Sequence, residues 1–247
     1  MHYLYTTVVY NPLYNGLVIL MNSARFAPWI DAGMVVILFT IIVRLVLFPI
    51  SKKAARTQVV MKTVEPELAA IKEKYKDDKQ AQAIQTMALY KEKKINPFSS
   101  ILLLFIQLPI IIALYRIFYT TGFSTVHTEL LYSWVSIPPA IGTHFLDLID
   151  VTQKSVFLAA LAALSQYLQI SISVPKAAAR PAAGAKLHED LARNMQAQMK
   201  YVFPVMIFFI SWNVAGALAI YWITSNLFMI GQELYIRRQI AREKAAK

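Results

Sequence analysis

The chain contains no cysteine, so it can form neither a disulfide framework nor a thiolate metal site. Common enzyme signatures are missing as well. There is no His-Glu-x-x-His, no Gly-x-Ser-x-Gly and no glycine-rich loop to cradle a phosphate, and all four histidines fall outside the long apolar runs. Acidic residues are scarce, with 14 against 25 lysines and arginines. The sequence therefore predicts no enzyme, no cofactor and no metal site.

Long apolar runs dominate what is present, and 57% of the residues are hydrophobic. A helix needs about 20 apolar residues to cross a hydrocarbon core. Residues 201–235 form a run too long for one span, so we place a turn near Asn213–Gly216. The sequence predicts an all-α polytopic membrane protein with five transmembrane helices, at 32–50, 98–119, 155–174, 201–214 and 216–235.

The basic residues are concentrated in alternate polar segments. Segments 51–97, 175–200 and 236–247 hold 11, 5 and 5 of the 25 lysines and arginines. The positive-inside rule places these segments in the cytosol, with the N-terminus and residues 120–153 outside. Residues 1–31 are predicted to carry an amphipathic helix at the membrane surface. With no secretory or transit leader recognisable, the pattern fits a mature bacterial inner-membrane protein.

Arg44 is the most unusual residue, because it lies inside the first predicted span. An arginine in hydrocarbon costs at least about 2.5–3.5 kcal/mol and by default indicates function. Thr40 is one helical turn earlier, on the same face. Glu233, the one carboxylate within a predicted span, is the acid available as a charge partner. Snorkelling of Arg44 to the cytosolic headgroups is the alternative explanation.

Other polar side chains occur at similar depth in the predicted spans. Single amides are commonly interhelical contacts, and that alternative stays open for most of them. Packed around Arg44, several half-polar helices would enclose a hydrated groove open to the cytosol. Such a groove would lower the cost of moving polar atoms part-way into the membrane. The candidates are Gln107, Gln166, Gln169, Thr224, Ser225 and Asn226, with the aromatic residues Tyr221 and Trp222 beside them.

Residues 51–97 are predicted to form a helical hairpin. Asp78 is a candidate N-cap for the second helix, and Asn96-Pro97 ends it. The alternative is a solvated connector between spans. The first helix carries an apolar stripe at intervals of three and four residues, formed by Met61, Val64, Leu68, Ile71 and Tyr75.

Several motifs, in order along the chain, resemble one family. They are Phe39-Thr-Ile-Ile-Val-Arg-Leu-Val-Leu-Phe-Pro-Ile50, Tyr90-Lys-Glu-Lys-Lys-Ile-Asn-Pro97, Gln107-Leu-Pro109 with Ala113-Leu-Tyr115, and Tyr221-Trp-Ile-Thr-Ser-Asn-Leu227. The chain is similar to the core of the YidC/Oxa1/Alb3 family of membrane-protein insertases, without the large outer domain of many members. The resemblance implies a five-helix fold around a hydrophilic groove open to cytosol and lipid.

The same resemblance implies roles for particular residues. Arg44 would face the groove, and Thr40 and Trp222 would contact substrates, with Tyr221 adjacent. The hairpin would capture nascent membrane proteins. The tail would contact the ribosome through Arg237, Arg238, Arg242, Lys244 and Lys247. The Sec translocon is a further expected partner, and a monomer fits the groove.

Three other functions compete with insertion. A transporter would usually show acidic residues at mid-membrane and repeated halves, and neither is evident. An intramembrane enzyme lacks its motifs. A passive assembly factor, which only packs against other membrane proteins, stays open.

Overall fold

The described part of the computed structural model is mostly helical, in agreement with the predicted all-α class. The strands of the described part form one short antiparallel hairpin. The structure describes residues 2–27, 29–93, 99–121, 123, 125–173 and 198–245.

The N-terminal segment is a nearly continuous helix that packs into the bundle. It consists of α1 (His2–Tyr5), a π-helical turn (Thr6–Tyr10), α2 (Asn11–Asn22) and a 3-10 turn (Ser23–Arg25). The apolar face predicted for a membrane-surface helix is buried against protein. Its members in the main core cluster are Tyr14, Leu17, Val18 and Met21.

The polar side chains of this helix bind residues 127–137, which lie in the predicted outer loop at 120–153. Tyr14 Oη accepts a hydrogen bond from the backbone N–H of His127 at 2.8 Å. Asn15 donates to the Leu130 carbonyl and accepts from the Tyr132 N–H. Asn15 is only 1% exposed, so losing these bonds would leave buried polar groups unsatisfied. The loop is therefore an ordered part of the fold.

Helix α3 (Ala32–Val46) is shorter than the predicted span at 32–50. Asp31 caps its start by accepting a hydrogen bond from the Met34 N–H. After Leu47 the chain turns through 69° into α4 (Phe48–Lys74). Pro49 explains the break, because a proline has no N–H to donate and its ring clashes with the preceding helical turn.

Helices α4 and α5 (Lys79–Glu92) form the predicted hairpin. Asp78 caps α5 by accepting a hydrogen bond from the Ala81 N–H at 2.9 Å. The Gln82 amide donates to the Lys72 carbonyl across the hairpin. The predicted end of α5 at Asn96-Pro97 lies outside the described residues.

Helix α6 (Ser99–Arg116) ends in a π-helical turn (Ile117–Thr121), and the loop after it leads to the β-hairpin. Strands β1 (His144–Phe145) and β2 (Ile149–Asp150) pair antiparallel, with Phe145 opposite Ile149. Helix α7 (Val156–Ser173) follows, where the sequence predicts a span at 155–174. Most of the predicted linker at 175–200 lies outside the described residues.

The last apolar run divides between Asn213 and Gly216, where the sequence placed a turn. Helix α8 (Phe203–Asn213) is short, and α9 (Gly216–Ala245) has 30 residues. The sequence predicted two short helices followed by a basic tail from residue 236, and in the structure the second helix continues into that tail. Residues 236–245 continue α9 because they have a partner: Ile236 and Ile240 pack with Val59 of α4.

The bundle packs through small residues where α7 and α9 meet. Ala159, Ala162, Ala217 and Ala219 are all fully buried. A Cβ on Gly216 would lie 2.9 Å from the Leu158 side chain, so the glycine leaves the room that this leucine occupies. Helices in lipid gain no hydrophobic driving force from one another, so close packing and hydrogen bonds must hold them together.

One helix of the described part, Val156–Ser173, is by itself long and apolar enough to cross a membrane. The bent pair Ala32–Val46 and Phe48–Met61 meets the same criteria when taken together. The total of five spans therefore stays a prediction.

Candidate functional site: an arginine cluster between α3, α6 and α9

Arg44 lies near the C-terminal end of α3, as the thirteenth of its fifteen residues. Its Nε and Nη2 atoms both donate hydrogen bonds to Ser225 Oγ of α9, at 3.0 and 2.9 Å. Ser225 is 1% exposed, whereas Arg44 is only half-buried. The serine therefore fixes the guanidinium from the interior side.

Tyr221 lies one turn before Ser225 on α9 and extends the same polar face. Its hydroxyl accepts a short hydrogen bond, 2.5 Å, from the Gln107 side-chain amide of α6. Tyr221 is 1% exposed and Gln107 is half-buried. Arg44, Ser225, Tyr221 and Gln107 thus form one polar group drawn from three helices, named here the arginine cluster.

Thr40 shares the helix face of Arg44 but has a local partner. Its hydroxyl donates to the Val36 carbonyl of its own helix at 2.6 Å, and its side chain is fully buried. A threonine that bonds back to its helix in this way is satisfied without a second helix.

Three other predicted groove residues lie on a different interface. Asn226 of α9 donates to Ser165 Oγ of α7 at 3.0 Å. Along α7, Gln166 donates to Gln169, which donates to Ser173 Oγ. The Asn226–Ser165 bond joins α7 to α9, whereas the two glutamines bond along α7 itself. The set Ser165, Gln166, Gln169, Ser173, Asn226 and Glu233 is named here the polar ladder.

Glu233 lies at the Ser173 end of the polar ladder and pairs with Arg237 rather than with Arg44. The Glu233 carboxylate is 2.6 Å from Arg237 Nη2 and accepts a hydrogen bond from the Ser173 hydroxyl. Arg237 also donates to the Ile172 carbonyl of α7. The side-chain partner of Arg44 is therefore Ser225, and not Glu233, the acid that the sequence offered as a charge partner.

The adjacent aromatic residues Tyr221 and Trp222 lie on different sides of α9. Successive residues of an α-helix are about 100° apart. Tyr221 shares its side with Ser225, four residues on, and Trp222 shares its side with Asn226, which binds α7. Trp222 is 8% exposed and Thr224 is half-buried. Of the two aromatic candidates, only Tyr221 belongs to the arginine cluster.

A third set of contacts joins α9 to the base of the hairpin. Ser51 and Gln232 exchange hydrogen bonds while both are buried. Further out, Arg56 forms an ion pair with Glu243. Sequence reasoning missed Ser51, because a single serine after an apolar run usually indicates only the end of a span.

The predicted apolar stripe of the hairpin is largely covered by other parts of the structure. Val64 is 3% exposed, and Met61, Leu68, Ile71 and Tyr75 are half-buried. Leu89 of α5 is buried as well. Near the open end, Lys93 bonds Glu67 at 3.0 Å, and that hydrogen bond raises the pKa of Lys93. The exposed large apolar side chains of the hairpin are instead Ile84 and Met87 of α5, at 60% each.

Residues 25–244 match the model of the family described as 60Kd inner membrane protein. The chain belongs to this family. The match covers the whole arginine cluster, the polar ladder and the hairpin.

Relatives of the 60Kd inner membrane protein family resemble this chain over most of its length. A protein of Clostridium tetani is 32% identical over 227 residues, which is 92% of this chain and 91% of the relative. One of Fusobacterium nucleatum is 28% identical, over 94% and 98% of the two chains. One of Clostridium acetobutylicum is 32% identical, over 83% and 72%. All three carry the name membrane protein insertase YidC.

Among the described residues, no three histidine or acidic side chains are grouped closely enough to hold an ion. What the arginine cluster can do is donate hydrogen bonds and place a positive charge among apolar helices. A guanidinium carries five N–H donors, and Ser225 engages two of its nitrogens. The remaining donors can bind acceptors that enter from the open side.

Proposed function

We propose that this chain is a membrane-protein insertase, which moves hydrophobic segments and short polar tails of nascent proteins from the cytosol into the bilayer. The observation that carries the proposal is the half-buried Arg44, held by Ser225 among helices of an inner-membrane family. The relatives named as insertases support the same activity.

The arginine cluster would act by shortening the distance that a polar tail must cross through hydrocarbon without hydrogen-bond partners. Arg44 lies about 18 Å along α3 from Ala32, at a rise of 1.5 Å per residue, and so close to the inner end. An entering polar tail needs hydrogen-bond partners, because each unsatisfied group in lipid costs several kcal/mol. Arg44, Gln107 and Tyr221 would provide such partners at this depth. Thr40 would line the same face one turn further out.

The orientation of the chain in the membrane follows from the distribution of its lysines and arginines. The hairpin and the end of α9 would lie in the cytosol, with the N-terminus and β-hairpin outside. Binding and hydration alone would drive the transfer, without nucleotide hydrolysis. Arg238 and Arg242 are exposed and would be available to a ribosome, whereas Arg237 is engaged by Glu233. Lys247 lies outside the described residues. The Sec translocon would be an optional partner of a monomeric insertase.

The test is insertion by the purified protein in liposomes. The substrate is a newly made single-span protein with a short acidic N-terminal tail, and protease protection of the tail reports insertion. We expect protection well above that of empty liposomes. Background protection, in vesicles shown to hold the protein in the correct orientation, would support the passive assembly factor instead.

Capture by the hairpin is expected to occur on the outer face of α5. Photo-crosslinking side chains at Ile84 and Met87 should label a ribosome-bound nascent chain, because these positions are 60% exposed. The matched control is Leu68, an apolar hairpin residue that is half-buried. We expect weak labelling there. Equal labelling from all three positions would show that the hairpin opens before it binds.

A further inference from the structure

The β-hairpin at the end of the bundle opposite α4 and α5 has an unusual turn. Residues Phe145–Leu148 form a tight turn closed by a hydrogen bond from the Leu148 N–H to the Phe145 carbonyl at 3.0 Å. Its central residues, Leu146 and Asp147, have φ angles of 52° and 59°. A turn with two positive φ angles strongly prefers Asn-Gly. A leucine there is a backbone outlier, which persists only when the surrounding structure holds it.

The surrounding structure holds this turn in place. The Leu146 N–H donates to Asp31 at 3.0 Å, next to the start of α3. Phe145 packs so closely on Gly33 that a Cβ there would lie 2.3 Å from its ring. The Val151 carbonyl accepts from the Ala217 N–H of α9. The backbone of the tip is thus held against two helices, α3 and α9.

That fixed tip presents apolar side chains to the surroundings. Leu146 is 53% and Leu148 is 79% exposed. Three aromatic residues from other loops are also largely exposed. Their exposed fractions are 90% for Phe26, 72% for Trp29 and 70% for Trp134. Trp29 is two residues from Asp31, which binds the tip. These five residues are named here the apolar rim.

The chain leads from the β-hairpin within a few residues to further exposed apolar side chains at the start of α7. The first turn of α7 starts a few residues after β2, and its Val156 and Phe157 are 51% and 61% exposed. Clustered exposed apolar residues indicate a protein or membrane contact. Continuity with exposed apolar helix ends favours lipid, and tryptophans are typical of the membrane interface.

We propose that the apolar rim inserts into the leaflet opposite the helical hairpin. Leu146 and Leu148 would enter the acyl-chain region, and Trp29 and Trp134 would lie at the level of the headgroups. The partner is the phospholipid bilayer itself. The tight turn would then hold Leu146 and Leu148 at the tip, where both side chains can enter the lipid. This inference depends on membrane residence and not on insertion activity.

Spin labelling tests the proposal directly, because the chain has no cysteine to replace first. One label is introduced by Leu148→Cys and a control label by Glu129→Cys, at an exposed loop carboxylate of the same end. Collision rates with oxygen and with a water-soluble nickel chelate are measured in phospholipid liposomes. We expect oxygen collisions to dominate at position 148 and nickel collisions to dominate at position 129.

Two outcomes would overturn the proposal. Dominant nickel collisions at position 148 would mean that the tip lies in water. A label shielded from both reagents would mean that protein covers the tip, and dipolar broadening between labels would then identify a second copy of the chain. Neither result bears on insertion, which the liposome protection assay measures separately.

Discussion

Replacing Arg44 with alanine is expected to slow insertion of a substrate with an acidic tail by about 10- to 100-fold. Hydrogen bonds to a charged group contribute about 1.5–3 kcal/mol, and each 1.4 kcal/mol corresponds to about tenfold. The variant removes the one guanidinium of the arginine cluster and leaves Ser225 in place. Initial rates of tail protection in liposomes measure the effect.

The substrate supplies the matched control for Arg44→Ala. A tail in which every aspartate is replaced by asparagine keeps its length and hydrogen-bonding capacity but loses its charge. We expect its insertion to respond much less to Arg44→Ala. Arg44→Lys should be intermediate with the acidic tail, because lysine keeps the charge but not the fork of donors.

The variant Ser225→Ala tests whether the position of the Arg44 guanidinium matters in addition to its charge. The arginine keeps its charge, but its interior hydrogen-bond acceptor is lost. We expect a smaller loss of insertion than with Arg44→Ala, and a restored rate with Ser225→Thr, which keeps a hydroxyl. If Arg44→Ala slows acidic and neutral tails equally while its thermal unfolding is unchanged, attraction by the charge is excluded and hydration of the groove remains as the mechanism.

The sequence predicted which residues share a helix face better than which neighbouring helix each residue contacts. Arg44 and Thr40 are on one helix face because they are four residues apart, and that spacing needs no structure. The turn at Asp78 and the break near Asn213–Gly216 also follow from local chemistry. Which amide meets which helix depends instead on the rotation of α9, and no local pattern specifies that rotation.

The adjacent residues Ser225 and Asn226 show why rotation matters. Their side chains differ by about 100° around the helix axis, so Ser225 binds Arg44 of α3 and Asn226 binds Ser165 of α7. A sequence can place both in one polar run, but only the packed bundle separates them. One side of α9 thus carries the proposed function, and the other carries the structural polar ladder.

Long-range contacts also decided where the helices end. Nothing in residues 236–247 alone requires a helix, and their charges resemble those of a solvated tail. Packing of Ile236 and Ile240 against α4 extends α9 through Ala245. The β-hairpin could not be predicted either, because Leu146-Asp147 lacks the Asn-Gly signature of its turn.

Replacing Gly33 with alanine is expected to destabilise the protein, although the same change at Gly231 is not. The Cβ at position 33 would lie 2.3–2.8 Å from three atoms of Phe145, including its own Cβ, so the ring cannot simply rotate away. Overpacking of this kind costs about 1–3 kcal/mol, or about 2–12 °C in Tm for a chain of this size. At Gly231 the Cβ would meet nothing within 4 Å.

Both glycines are helical, so the comparison isolates the contact with Phe145. Alanine is favoured over glycine inside a helix by about 0.5–1 kcal/mol, and Gly231→Ala should therefore keep or slightly raise the Tm. Thermal unfolding in detergent measures both variants. Combining Gly33→Ala with Phe145→Ala should recover part of the loss, because the second change removes the clashing ring. Equal Tm values for Gly33→Ala and Gly231→Ala would show that the β-hairpin can move away from α3, and the fixed position of its tip would then be wrong.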